Sequence, residues 1–73
     1  MRTKITSEIA GQVWKVIAKQ GDAVAVDDVI VILESMKMEI PIQASKAGTL
    51  RDIMVAEEDM VEEGQHVATI ESA

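Results

Sequence analysis

The sequence predicts an all-β fold: a flattened barrel-sandwich of two four-stranded antiparallel sheets with a pseudo-two-fold repeat. Three observations lead to it. The apolar residues are mostly Val, Ile and Ala in short runs, which favours strands. Turns that contain glycine or acidic residues separate these runs. The apolar positions also recur 37 residues apart, which is typical of two structurally equivalent halves.

The repeat relates positions that keep their apolar or turn character in both halves. The matched positions are Ala10-Gly11 with Ala47-Gly48, Val13 with Leu50, Val16 with Ile53, Asp22 with Asp59, Val24 with Val61, Ile30 with Val67, Leu33 with Ile70, and Glu34 with Glu71. Two halves of four short strands each predict a sandwich or flattened barrel. We expect strands to be exchanged between the halves, and this pairing to remove open sheet edges.

The predicted elements alternate with turns along the whole chain. The predicted strands cover residues 1–7 (a short edge strand), 12–18, 23–26, 29–33, 39–44, 50–55 and 66–70. Turns are predicted at Gly21-Asp22, Asp27-Asp28, residues 45–48, residues 57–59 and Gly64-Gln65. The three-residue spacing of Val13 and Val16 is also compatible with a helix, but the run is too short, and we interpret it as a bulge in a twisted strand.

A lysine flanked by two methionines lies between the strands at 29–33 and 39–44, in the stretch Glu34-Ser35-Met36-Lys37-Met38-Glu39. Two strands joined by a short polar break predict a hairpin with Met36-Lys37 near its tip. A lysine at a turn is most often a solubilising charge. Two methionines beside an exposed turn are costly in water and indicate a surface for a partner, unless one of them folds back as core filler. The repeat places this hairpin opposite the chain termini.

Composition limits the classes of function. The 73 residues predict one domain over 1–73, a size that buries only about 60% of its unfolded surface. There is no cysteine, and the net charge of -6 argues against nucleic acid and anionic membranes. The longest apolar run has five residues, too short to cross a membrane. We expect a cytoplasmic protein, monomeric when isolated, with Trp14 in the core or capping the barrel end.

Other arrangements offer little chemistry. His66 is the only histidine and has no cysteine to complete a zinc site, so we expect a partly exposed strand residue. Ser35 and Lys37 are two residues apart, as in a Ser-Lys nucleophile pair, but a tight turn between them would separate the side chains. The acidic pair Asp27-Asp28 and the acidic turn at 57–59 lack the spacing of a calcium loop. We therefore expect no catalytic residue and no metal site.

The hairpin motif resembles the attachment motif of biotinyl domains of the biotin carboxyl carrier type. The resemblance extends from about Ile9 to Ile70. It implies that Lys37 receives biotin covalently and that the flanking residues form the recognition motif: Glu34, Ser35, Met36, Met38 and Glu39. Lipoyl domains share the fold but usually have an acidic residue before the lysine and lack the methionine pair. In size the chain resembles short, free-standing biotin attachment proteins of bacteria.

The resemblance also implies a function as a carrier that is not itself an enzyme. A biotin-protein ligase would activate biotin as an adenylate, and the amine of Lys37 would form the amide. A biotin carboxylase would then load a carboxyl group, and a carboxyltransferase would pass it to an acceptor such as an acyl-CoA or a 2-oxo acid. The alternatives are a lipoyl carrier, a carrier of both groups, and an unmodified interaction module on the same fold.

Two turn positions depart from the family pattern. The Gly21-Asp22 turn has Glu58-Asp59 as its counterpart, and Asp27 stands where the second half has Gly64. Glycine is the default residue where the backbone needs a positive φ. If a pseudo-dyad relates the halves, Glu58 and Asp27 therefore adopt the conformation of their glycine counterparts.

Overall fold

The computed structural model describes residues 1–72, and within that range all regular structure is β. The strands are β1 Arg2–Thr6, β2 Gly11–Val16, β3 Ala23–Val24, β4 Val29–Ser35, β5 Met38–Gln43, β6 Gly48–Ile53, β7 Met60–Val61 and β8 His66–Glu71. The predicted all-β class is confirmed. The shortest strands, β3 and β7, occupy equivalent places in the two halves.

The strands form two four-stranded antiparallel sheets. Sheet A has the order β1-β8-β6-β3, and sheet B has the order β5-β4-β2-β7. Each sheet takes two strands from each half of the chain, which confirms the predicted exchange. The expectation that exchange removes open edges is wrong, because β1, β3, β5 and β7 remain edge strands. Two of these edges are only two residues long, and β5 carries Pro41, which has no N–H to offer a further strand.

The register of the two sheets confirms the pseudo-two-fold repeat. In sheet B, Val13 pairs with Leu33 and Lys15 with Ile32, so that Trp14 is an extra residue in a bulge. In sheet A, the equivalent pairs are Leu50 with Ile70 and Asp52 with Thr69, with Arg51 as the extra residue. The bulges account for the three-residue spacing that resembled a helix, because an inserted residue breaks strict alternation.

The core lies between the two sheets and consists almost entirely of aliphatic side chains. Its fully buried members include Val13, Ile30, Val31, Leu33, Leu50, Val67, Ala68 and Ile70. Trp14 does not belong to it, so the prediction that this residue is core or a cap is wrong. The bulge directs Trp14 outward, where it is 48% exposed and lies with its ring centroid 5.9 Å from Lys15 Nζ.

The chain termini meet at one end of the sandwich. The backbone groups of Met1 and Ser72 exchange two hydrogen bonds of 2.8 Å and so extend the β1–β8 ladder. At the other end of β1, Ser7 lines a cavity of about 280 Å³ together with Leu33 and Ile40 of the hairpin strands. The hairpin and the termini therefore lie at opposite ends of a molecule 37 Å long. None of residues 1–72 forms a helix long and apolar enough to cross a membrane.

Candidate functional site

Strands β4 and β5 form a hairpin closed by a two-residue turn, Met36-Lys37. Ser35 and Met38 are the last cross-strand pair before the turn, and Glu34 and Glu39 are the next. The structure therefore brings together all six residues of the motif. Both turn residues have positive φ, 51° for Met36 and 66° for Lys37, as in the tight turns whose twist matches that of the flanking strands.

The turn is conformationally strained. Asn and Gly are the usual residues at such positions, because a longer side chain with positive φ costs on the order of 1 kcal/mol or more. Here Met36 and Lys37 occupy the two positions, and neither side chain relieves the strain. Strained backbone of this kind concentrates at functional sites, where the side chain is needed for something other than stability.

The two methionines and the lysine project into solvent. Met36 is 89% exposed and Met38 is 58% exposed, and Lys37 is exposed between them. The interpretation that one methionine fills the core is therefore wrong. Ser35 is half-buried, and a turn separates it from Lys37, so the two side chains do not share a strand face. The thioethers remain available to a partner that approaches the lysine.

The carboxylates beside the turn are not neutralised. Glu34 and Glu39 lie directly opposite each other on β4 and β5, and both are exposed. Like charges in this position destabilise a strand pair. Among the described residues the one ion pair joins Arg51 to Glu71, in sheet A, so no described cation lies within 4.0 Å of either glutamate. The hairpin thus presents two free carboxylates next to a free ammonium.

A groove beside the hairpin was not predicted from the sequence. It has a volume of about 380 Å³ and is lined by Gln12, Val13, Trp14, Glu34, Glu57 and Glu58. Gln12 donates its side-chain amide to the carbonyl of Glu58, which fixes the acidic turn against β2. The repeat contained a signal for this feature, because position 14 is Trp in the first half and position 51 is Arg in the second.

The histidine and the acidic turns singled out in the sequence have structural partners. His66 is half-buried, as expected, and its Nε2 lies 2.9 Å from the carbonyl oxygen of Ala68 and 2.8 Å from Oγ1 of Thr69. The carboxylates of Asp28 and Asp59 accept backbone N–H groups three residues earlier, at 2.8 and 2.9 Å. The acidic turns are thus held by their own side chains. In residues 1–72 no group of three acidic or histidine side chains is arranged to hold a metal ion.

Comparison with known proteins identifies the family of the chain. The family described as biotin-requiring enzyme matches residues 2–70. The biotinylated protein TB7.3 homolog of Mycobacterium leprae is 39% identical over 70 residues, which cover 96% of this chain and 99% of the relative. The biotin/lipoyl attachment protein of Bacillus subtilis is 43% identical over 60 residues, 82% of each chain.

A solved structure gives the same result for the fold. The urea carboxylase of Kluyveromyces lactis contains a region that superimposes with a TM-score of 0.91 at 38% identity and covers 96% of this chain. This chain spans 6% of that carboxylase.

Proposed function

Because the chain belongs to the biotin/lipoyl attachment family of biotin-requiring enzymes, we propose that it is a biotin carrier with Lys37 as its attachment site. Family membership supports biotin as the attached group, and the geometry of the hairpin supports Lys37 as the attachment site. Lys37 is the lysine in the strained two-residue turn, flanked by exposed methionines. Because the relatives are named for biotin, a lipoyl carrier is less favoured. No observation favours an unmodified interaction module.

The position of Lys37 fits a covalently attached group. Its amine lies on a hairpin whose strands belong to a packed sheet, so the turn is presented at a fixed place. The attached group would extend from the end opposite the termini. The other lysines lack this setting: Lys4 is on β1, Lys15 lies over Trp14, and Lys19 and Lys46 lie outside the hairpin. Biotin supplies a carrier for a carboxyl group, held at high local concentration by its tether, on the order of millimolar for short flexible links.

The domain itself contributes the nucleophilic amine and the fold that presents it. The Lys37 amine must lose a proton before it attacks an activated carboxyl group. Glu34 and Glu39, the acidic residues of the motif, are exposed, and neither carboxylate lies within 4.0 Å of the Lys37 amine to act as its base. We therefore infer that the ligase removes the proton and that the chain is a substrate and carrier with no catalytic residue of its own.

The partners implied are a biotin-protein ligase, a biotin carboxylase and a carboxyltransferase. Relatives include parts of named carboxylases, such as the biotin-dependent acyl-coenzyme A carboxylase alpha3 subunit of Mycobacterium leprae, which is 35% identical. The single domain over 1–73, the monomeric state and the cytoplasmic location stay predictions.

Mass spectrometry of the intact protein tests the attachment site. The wild type, Lys37→Arg and Lys46→Arg are incubated with a biotin-protein ligase, biotin and ATP, and a parallel set with a lipoyl ligase and lipoate. We expect biotin to be added to the wild type and to Lys46→Arg, and not to Lys37→Arg. Amide formation removes one positive charge, so the net charge changes from -6 to -7 and the product focuses at lower pH. Biotinylation of Lys37→Arg would contradict the assignment, and addition of lipoate alone would contradict the choice of group.

A further inference from the structure

The pseudo-dyad offers an internal comparison of the outer faces of the two sheets. Equivalent strands present equivalent backbone positions to solvent, so the fold places the same demands on both faces. Where side chains at equivalent positions differ in chemistry, the difference cannot be attributed to the fold. It indicates something that acts on one face alone.

The outer face of sheet B is apolar where that of sheet A is polar or small. Four positions of sheet B carry large apolar side chains or proline, and their equivalents in sheet A are polar or, at Ala23, small. The matched positions are Trp14 with Arg51, Ile32 with Thr69, Pro41 with Lys4, and Met60 with Ala23. Trp14 is 48% and Met60 is 70% exposed. Exposed apolar groups concentrated on one of two equivalent faces are typical of an interaction surface.

The charges of the two faces differ as well. In sheet A, Arg51 Nη1 lies 2.6 Å from Glu71 Oε2, so the acidic residue is paired. In sheet B, Trp14 stands in the place of Arg51, and Glu34, the equivalent of Glu71, has no described cation within 4.0 Å. Glu57 and Glu58 line the same groove as Trp14 and Glu34. Among residues 1–72, the surface carries one cation, Lys15, over Trp14, and is otherwise bordered by unpaired carboxylates, which a basic partner would complement.

We propose that the outer face of sheet B, centred on Trp14, is the docking surface for the enzyme that acylates Lys37, and that this enzyme presents an apolar patch bordered by lysine or arginine. This rests on the proposed function. The surface is continuous with the hairpin, since Gln12 on β2 pairs with both Glu34 and Met60. It adds Trp14, Ile32, Pro41 and Met60 to the recognition motif of the hairpin.

The short length of the unmodified lysine side chain favours the acylating enzyme, rather than the later partners, as the protein that docks on this surface. Before modification, only the lysine side chain separates the backbone of the turn from the active site that acts on it. Trp14 is level with Leu33 and Ile32, three to four residues before the turn, or about 10 Å at the rise of a strand. A standard interface covers about 800 Å² of each partner, so one centred on Lys37 includes this distance. The partners that act on the attached group can remain farther away.

Steady-state kinetics of the acylating enzyme test the proposal. Trp14→Arg introduces the residue that the fold accepts at the equivalent bulge, and Pro41→Lys does the same on β5. We expect each to raise the KM for the carrier about tenfold, the loss typical of a central interface residue, with little change in kcat. The matched controls in sheet A, Arg51→Ala and Lys4→Ala, should leave the KM unchanged. The KM of the wild type should rise with ionic strength, since salt screens charge complementarity.

The outcomes separate this proposal from the proposed function. Melting curves show whether each variant is folded at the assay temperature, and Pro41→Lys supplies the test if Trp14→Arg is not. A wild-type KM for both sheet B variants, with acylation still dependent on Lys37, overturns the docking surface and leaves the carrier function intact. An equal rise in KM for the sheet A controls also overturns the docking surface. An effect confined to carboxylase turnover of the modified protein assigns the face to that partner instead and overturns the proposal. Absence of any acylation of the wild type contradicts the proposed function itself.

Discussion

Glu58 and Gly21 are equivalent turn residues and adopt the same left-handed backbone conformation, with φ angles of 76° and 96°. The other turn pair behaves alike, with 73° for Asp27 and 83° for Gly64. The positive φ that the repeat predicted for Glu58 and Asp27 is thereby confirmed. In each half, one of these two turns therefore has a residue other than glycine at positive φ. It is the second turn in the first half, at Asp27, and the first turn in the second half, at Glu58.

Glu58→Gly should stabilise the protein, and Asp27→Gly should be closer to neutral. A glutamate in this conformation costs roughly 1 kcal/mol or more, whereas Asp tolerates it better. Glycine increases the entropy of the unfolded chain, which offsets about 0.4–1 kcal/mol, so the net effect is small and the ranking is the firm expectation. Urea denaturation of both variants measures it. Gly21→Ala is the control: an added Cβ has no neighbour within 4 Å to clash with, so the change in stability reports the cost of the positive φ, less the entropy that alanine removes from the unfolded chain. Clear destabilisation by Glu58→Gly would contradict strain at that turn.

Gly48→Ala should destabilise the fold more than Gly11→Ala. The two glycines begin β6 and β2, and an added Cβ at either approaches the carbonyl oxygen of an equivalent glutamate. A Cβ added at Gly48 would lie 2.5 Å from the carbonyl oxygen of Glu71 and 2.8 Å from Ile70 Cγ2. A Cβ added at Gly11 would lie 3.0 Å from the carbonyl oxygen of Glu34. Overpacking of this kind typically costs about 1–3 kcal/mol, so we expect Gly48→Ala near the upper limit. Thermal melts of the two variants give the order, and equal losses would show that the two strand starts are equally close.

The double variant Met36→Ala, Met38→Ala should retain its stability and lose recognition. Both side chains are mostly exposed, so their removal leaves no cavity, and the change in the free energy of unfolding should stay well below the 2–5 kcal/mol typical of buried methionine. The KM or kcat for biotinylation should change instead, since the thioethers flank the reacting amine. Urea denaturation and ligase kinetics on the same sample compare the two effects. A loss of several kcal/mol with normal kinetics would contradict a role in contact.

Removal of Arg51 should raise the pKa of Glu71. The hydrogen bond from Arg51, followed by its charge, holds the pKa of this carboxyl below its ordinary value of 4.5. A folded-state pKa below the unfolded value contributes stability that is present above the unfolded pKa and lost as pH falls through the folded one. The stability difference between wild type and Arg51→Met should therefore shrink as the pH falls below the ordinary value of 4.5. NMR titration of the Glu71 carboxyl carbon measures the shift, and Lys4→Met serves as the control.

Much of the site was predictable because it depends on local chemistry. The apolar run before Lys37 and the alternation after it predict two strands, and the break between them permits only a short turn. The exposure of the methionines follows from the same turn. The assignment of strands and turn within the hairpin therefore needed no knowledge of distant contacts.

The position of Trp14 shows where local patterns are insufficient. A large aromatic residue between Val13 and Val16 is expected to be buried, and alternation alone cannot reveal a bulge. The extra residue in β2 directs both Trp14 and Lys15 outward, because Val13 pairs with Leu33 and Lys15 with Ile32. That register is set by pairing with a strand far along the chain.

The sequence by itself determined seven of the eight strands, the repeat, the tight turn at Met36-Lys37 and the left-handed conformation at Glu58, because each depends on residues close together in the chain or on the internal comparison of its halves. The two-residue strand β7, Met60–Val61, was not predicted. The tertiary structure alone decided which strands became neighbours, that four edges stayed open, and that Trp14, Glu34 and Met60 share one outer face. These features depend on the exchange of strands between the halves, which brings β7 beside β2 and so joins residues from both halves into a single surface beside the lysine.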